Sequence, residues 1–157
     1  MSGPFVVILM GSPADREHAG KIVSTLDALG VESVQRVGSA HKTPEHVIAI
    51  LREYEADPRP KVWVTIAGRS NALSAFVEAF VGSPVISCPP LSMPEDVWSS
   101  LRMPADVAPL VVLEPANAAI AAAKILGLAD PTITERVNDF RAKKYAAVVA
   151  ADQEGVA

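Results

Sequence analysis

At 157 residues, half of them hydrophobic and 20% charged, the chain suits one compact α/β domain over residues 1–157 and argues against disorder. A net charge of −4 leaves no basic footprint for nucleic acid, so attraction for an anionic ligand must come from local groups. The single cysteine, Cys88, excludes an internal disulfide and a cysteine-rich metal site. No apolar run reaches the ~18 residues that span a bilayer. Met1-Ser2-Gly3-Pro4 lacks the basic start of a signal peptide, so the expectation is a soluble, cytoplasmic protein.

Phe5 to Met10 is a continuous apolar run, the pattern of a strand buried on both faces of a parallel sheet. Gly11 to Asp15 makes a turn, with Asp15 placed to cap a helix whose apolar face is Ala19, Ile22, Leu26 and Leu29. Gly30 closes that helix. A second strand is predicted from Ser33 to Val37. Thr43-Pro44-Glu45 reads as a helix start, with Thr43 as N-cap, and the helix runs to Tyr54 with Val47, Ile48 and Leu51 inward. The rigid Asp57-Pro58-Arg59-Pro60 connector leads to a third strand, Lys61 to Ala67, and a helix from Ala72 to Phe80. Val85 to Cys88 is a fourth strand, followed by a proline-rich loop and a short helix, Glu95 to Leu101. Leu110 to Leu113 completes the strands. The alanine-rich stretch Asn117 to Leu126 predicts a helix packed on more than one side. A last helix, from Pro131 or Thr132 to Ala151, follows the finished sheet and is expected to pack on a neighbouring subunit.

Five strand–helix alternations predict a three-layer α/β sandwich: a doubly wound parallel sheet with helices on both faces. Ligands in such folds bind beyond the carboxyl ends of the strands. The turn Gly38-Ser39-Ala40-His41-Lys42-Thr43 sets an imidazole and an ammonium just ahead of a helix N-terminus, where an anion is favoured. A capped helix with a polar turn accounts for the same residues. Gly11 and Ser12, with Asp15, offer a phosphate cradle or simply a tight capped turn. Gly68-Arg69-Ser70-Asn71 puts three polar side chains at one strand end, where Ser70 or Asn71 serves equally as an N-cap. His18 reads as solvated, His46 as a surface or interface residue, and neither pairs at metal-ligand spacing, so no bound metal is expected. Cys88 reads as a small buried hydrophobe. Trp98 reads as core or as part of a lid.

Taken together, five blocks resemble the PurE family of purine biosynthesis: Val7 to Ser12 with Asp15, Ser39 to Pro44, Ile66 to Asn71, Val85 to Pro90, and Ser99 to Pro104. The resemblance runs in order from about residue 5 to residue 128. It implies a flavodoxin-like sheet and a symmetric oligomer, an octamer or tetramer. His41-Lys42, where the mutase class usually has His-Arg, and Gly68-Arg69-Ser70-Asn71, where it has Gly-Ala-Ala-His, look like the carboxylase class. The chain departs from the usual Gly-Ser-x-Ser-Asp by carrying Ala14, which removes one hydroxyl from the cradle. The loop from Pro90 to Val97 also looks short beside its relatives.

The resemblance implies that aminoimidazole ribonucleotide, an enamine-like carbon nucleophile, attacks carbon dioxide without ATP, biotin or another cofactor. His41 then moves the ring proton, Lys42 and Ser70 hold carbon dioxide or the new carboxylate, and Ser12, Asp15 and Ser39 hold the ribose phosphate. Gly11, Ala40, Gly68, Arg69 and Asn71 complete the expected substrate contacts. Two alternatives stay open: the mutase of carboxyaminoimidazole ribonucleotide, and a catalytically silent nucleotide-binding protein of the same fold.

Overall fold

The computed structural model describes residues 3–155; Met1, Ser2, Val156 and Ala157, and with them part of the signal-peptide reading, lie outside the described residues. The strands are β1 (Phe5–Met10), β2 (Glu32–Val37), β3 (Lys61–Ile66), β4 (Val85–Ser87) and β5 (Leu110–Val111). The helices are α1 (Arg16–Ala28), α2 (Pro44–Glu55), α3 (Ala72–Glu78), α4 (Trp98–Leu101), α5 (Pro115–Leu126) and α6 (Pro131–Gly155), with 3-10 turns at Pro13–Asp15 and Pro94–Val97. The sheet is parallel throughout, in the order β2-β1-β3-β4-β5. The expected doubly wound, flavodoxin-like sandwich is therefore the observed one. Beyond β5 the edge is short, because only Leu110 and Val111 pair with β4. The chain then turns early into α5, where Pro115 supplies a preset φ at the first helical position.

Both central strands, β1 and β3, are buried along their whole length, and their side chains alternate between two cores. Val6, Ile8, Met10, Val62, Val64 and Ile66 face α1, α5 and the start of α6. Phe5, Val7, Leu9 and Trp63 face α2 and α3. On α2 the inward residues are Val47, Ile50 and Leu51; Ile48 is only half-buried, because a step of three, not one, returns to the same helix face. Ala118, Ala119, Ala122 and Ala123 let α5 lie close between α1 and α6, the two-sided packing its composition predicts. Gly30 ends α1 at φ +63, and its carbonyl accepts from the Arg136 guanidinium at 2.8 Å, tying α1 to α6. In α6 the buried residues are Ile133 and Val137; further along, Tyr145 and Val148 are exposed.

A polar network is set among these apolar layers. Asn71 is 3% exposed and does cap α3: its Oδ1 accepts from the Ser74 N–H at 3.1 Å. A backbone N–H can only donate, so this bond fixes which way the amide points. Its Nδ2 then donates to the Ser87 and Ser100 hydroxyls, each at 2.9 Å. Ser74 Oγ lies 3.0 Å from both Asn71 Oδ1 and Ser87 Oγ, and 2.7 Å from Thr65 Oγ1. Its single proton goes to Oδ1, which cannot donate in return. Ser87 therefore donates to Ser74, closing a ring through Asn71. These hydrogen bonds lock β3, α3, β4 and α4 together.

His18 departs from its expected solvated position. It is half-buried, with Nε2 at 3.1 Å from the Cys88 carbonyl and 3.4 Å from Cys88 Sγ. The cause is tertiary: α1 docks beside the loop after β4, so a helix face open in isolation meets that loop. Cys88 itself is fully buried, as its apolar strand predicts. Burial, with the nearby Glu114 carboxylate, pushes its thiol from an ordinary 9.0 up to about 12. Burial holds the His18 imidazole below its ordinary 6.5, against the opposing bond to the Cys88 carbonyl.

Replacing Asn71 by Ala strands the Ser74 N–H and removes the cap, so Asn71→Ala should cost about 2–4 kcal/mol in urea unfolding. Asn71→Asp should also destabilise, since a carboxylate cannot donate to Ser87 and Ser100. The unfolded chain releases the Cys88 proton before the folded one does. Stability from the neutral thiol is complete below pH 9 and falls as pH rises toward 12. Urea midpoints against pH should therefore fall less steeply over that range for Cys88→Ala than for the parent. The unfolded chain also protonates His18 first, so stability falls as pH drops below 6.5.

Candidate active site

Because the strands are parallel, the turns that follow them emerge on one edge of the sheet, and four of them enclose a cavity of about 560 Å³. That volume suits a small ligand such as a nucleotide. The turn after β1 supplies Gly11, Ser12, Ala14 and Asp15; the turn after β2 supplies Ser39, Ala40, His41 and Lys42. The turn after β3 supplies Ala67, Gly68, Arg69 and Ser70, α3 adds Leu73, and the loop after β4 adds Pro90 and Ser92. Every residue expected to act in catalysis or to contact substrate lines this cavity except Asn71. Its side chain is turned into the protein as the α3 cap, so its expected place against substrate is corrected to a place beneath the site.

In the first turn the side chains brace the backbone. Ser12 N–H donates to Asp15 Oδ2 at 3.0 Å, and Ala14 N–H donates to Ser12 Oγ at 3.2 Å. Asp15 makes no capping bond to α1, contrary to expectation, because its carboxylate is engaged by Ser12. Burial raises the Asp15 carboxyl above its ordinary value, with the Ser12 N–H and His18 opposing. Ser12 Oγ accepts here without donating, which leaves its proton for a ligand oxygen.

The second turn is built the same way. Gly38 N–H donates to Met10 carbonyl at 2.9 Å, and a side chain at Gly38 would meet Val47 Cγ2 at 2.9 Å, so only glycine lets this turn lie on α2. Thr43 does not cap α2. Its Oγ1 instead accepts from the Ser39 N–H at 2.9 Å and donates to the Ser39 carbonyl at 3.3 Å. Lys42 N–H donates to Ser39 Oγ at 3.3 Å. The turn curls on itself, and His41 and Lys42 stand exposed at its tip. The first turn of α2 does not line the cavity; the side chains of the loop do.

The third turn is the strained one. Arg69 sits at φ 51, a left-handed conformation that costs a non-glycine residue on the order of 1 kcal/mol. A side chain at Gly68 would lie 2.9 Å from the Pro90 carbonyl, so the loop after β4 presses directly on this turn. Ser99, on α4, accepts the Asn71 N–H at 2.9 Å and donates to the Arg69 carbonyl.

Lys42 and Arg69 outnumber Asp15 on the cavity wall, so the site attracts anions although the whole chain is acidic. Pro90 and Ser92 belong to a strand-end loop that the sequence marks only as a whole. Leu73 reads as core from its apolar side chain, and nothing local distinguishes it. His18 faces a second hollow of about 460 Å³ with Lys21, Leu113 and Glu114. Among the described residues, no three His, Cys, Asp or Glu side chains cluster as metal ligands, and no helix is long and apolar enough to cross a membrane.

The chain matches the family model described as AIR carboxylase over residues 5–147. Phosphoribosylaminoimidazole carboxylase of Treponema denticola is 49% identical over 154 residues, covering 96% of this chain and 97% of that protein. The enzyme of the same name from Archaeoglobus fulgidus is 48% identical, covering 97% and 85%. A human bifunctional phosphoribosylaminoimidazole carboxylase and succinocarboxamide synthetase is 39% identical over 152 residues, covering 95% of this chain and 36% of that protein. The crystal structure of Treponema denticola PurE aligns with a TM-score of 0.93 at 49% identity, over 96% of this chain and 98% of that one. The match takes in all four turns that build the cavity, and the chain belongs to the AIR carboxylase, or PurE, family of purine biosynthesis.

Proposed function

We propose that this protein carboxylates 5-aminoimidazole ribonucleotide with carbon dioxide, in the cytoplasm and without ATP or biotin, to give 4-carboxy-5-aminoimidazole ribonucleotide. The observation that carries the reading is that His41 and Lys42, from one strand end, and Ser70, from another, line one cavity of nucleotide size. The relatives named phosphoribosylaminoimidazole carboxylase support it.

The exocyclic amine feeds electron density into the ring, making C4 nucleophilic. C4 attacks the carbon of carbon dioxide, and one C–O π pair moves onto oxygen as a carboxylate. The ring carbon is then tetrahedral and carries both hydrogen and carboxylate. His41 takes that hydrogen as a proton, and the C–H pair returns to the ring. Lys42 and Ser70 stabilise the charge that grows on the carboxylate oxygens, by ammonium charge and by a hydroxyl hydrogen bond. The hydroxyls of Ser12 and Ser39 already accept backbone N–H groups, so their protons are directed to the phosphate of the ribonucleotide. Arg69 adds charge, and Asp15 accepts from ribose hydroxyls. Gly11, Ala40 and Gly68 admit the ligand close to the backbone.

Purified protein should consume aminoimidazole ribonucleotide in bicarbonate without ATP, faster than it turns over the carboxyamino isomer. The reverse ratio would make it the mutase, and ligand binding with no turnover would make it a silent binding protein. In His41→Asn, kcat should fall by about 100-fold or more with the circular dichroism spectrum unchanged. Wild-type turnover in that variant would remove His41 from the reaction. We also propose a symmetric homo-oligomer in which the outer half of α6 packs on a neighbour, because Tyr145 and Val148 are 74% and 71% exposed there. Light scattering should find an octamer or tetramer, and the pair Tyr145→Glu and Val148→Glu should give a smaller species.

A further inference from the structure

We propose that Ser99 is a positioning residue for the turn that carries Arg69 and Ser70. The inference rests on the reading of Ser70 given above and goes beyond it to a residue outside the cavity wall. The geometry is specific. The Arg69 carbonyl belongs to the peptide unit before Ser70, and the Asn71 N–H belongs to the unit after it. The single oxygen of Ser99 reaches both, accepting from the second at 2.9 Å and lying within donating distance of the first, with the Asp96 carbonyl at 3.1 Å as the alternative acceptor for its one proton. Both backbone dihedrals of Ser70 are thereby bounded by one hydroxyl on another element.

Three further observations converge on this clamp. Arg69 is held at φ 51, a conformation a non-glycine side chain leaves when its surroundings permit. Among the described residues the Ser70 carbonyl accepts a local bond alone, from Ala72 N–H at 3.0 Å, which does not fix the turn against the rest of the protein. α4 is itself anchored from below, since Ser100 is 1% exposed and accepts from Asn71 Nδ2. Asn71 is thus gripped through its backbone by Ser99 and through its side chain by Ser100. The clamp sits at the end of the segment that contributes Pro90 and Ser92 to the cavity, so one stretch of chain both closes the site and sets the aim of Ser70. Loss of the Ser99 hydroxyl frees the turn to relax at Arg69, which swings the Ser70 hydroxyl off the carbon dioxide position while leaving Ser12 and Ser39 untouched.

The test uses the full-length protein with aminoimidazole ribonucleotide and bicarbonate, and compares Ser99→Ala, Ser99→Thr and Ser100→Ala. Ser99→Ala should lower kcat by about 10- to 100-fold, the cost of a misplaced group, with KM for the ribonucleotide within about twofold. Ser99→Thr, which keeps the hydroxyl, should recover most of the loss. Ser100→Ala should lower the unfolding temperature and keep kcat within about twofold. Hydrogen–deuterium exchange read by mass spectrometry should speed up in the peptide covering residues 68–73 in Ser99→Ala and slow again in Ser99→Thr. Parental kcat in Ser99→Ala, or parental exchange in that peptide, overturns the proposal. So does an equal loss of kcat in Ser99→Ala and Ser100→Ala. Absence of turnover in the parent protein rejects the carboxylase reading instead, and the exchange measurement then decides the clamp alone.

Discussion

All five strands run in one direction, and that constraint governs where chemistry can occur. Each crossover between parallel strands returns the chain to the same starting edge, so each turn after a strand must emerge on the opposite one. Four turns separated by dozens of residues in sequence are thereby neighbours in space. The order β2-β1-β3 reverses the direction of winding at β1, which opens the crevice between the turns after β1, β2 and β3. The two cores exist to hold this edge still. β1 and β3 are sealed on both faces, so the bases of the turns that follow them have no freedom to drift.

Rigidity at the site itself comes from a different source. The turns are short loops whose side chains hydrogen-bond to their own backbones: Ser12 with Asp15, Ser39 with Thr43 and Lys42. The side chains left unengaged by those bonds, His41, Lys42 and Ser70, are the ones suited to reaction. Below them lies the ring of Asn71, Ser74 and Ser87, polar yet fully paired. An apolar filling there would pack as well but would not set a direction, whereas an amide with two donors and an acceptor dictates how α3, β4 and α4 meet.

What could be read in advance followed from local physics. Apolar runs, proline at helix starts and glycine after α1 place the elements, and the rule for parallel sheets places the site. Misreadings came where one side chain serves two ends equally well. Asn71 suits a cap or a ligand, and the partners that decide, Ser87, Ser99 and Ser100, are 16 or more residues away. Thr43 and Asp15 have the chemistry of helix caps, but each found a nearer backbone partner within its own turn. His18 became half-buried only because α1 docks beside Cys88, which periodicity along α1 alone does not reveal. Ile48 and Ile50 are alike in composition, and the stripe running from Val47 to Leu51 selects Ile50.

The contact between Gly68 and the Pro90 carbonyl has a consequence for how this site can diverge. With Ser99 bonded across the same turn, residues 68–71 and residues 90–100 form one mechanical part made from two stretches of chain. Grafting either stretch alone from a relative with a different sequence there would set a foreign surface against the retained half. Change in this region of the fold must therefore come as matched pairs of loops, so the two would be inherited as a unit.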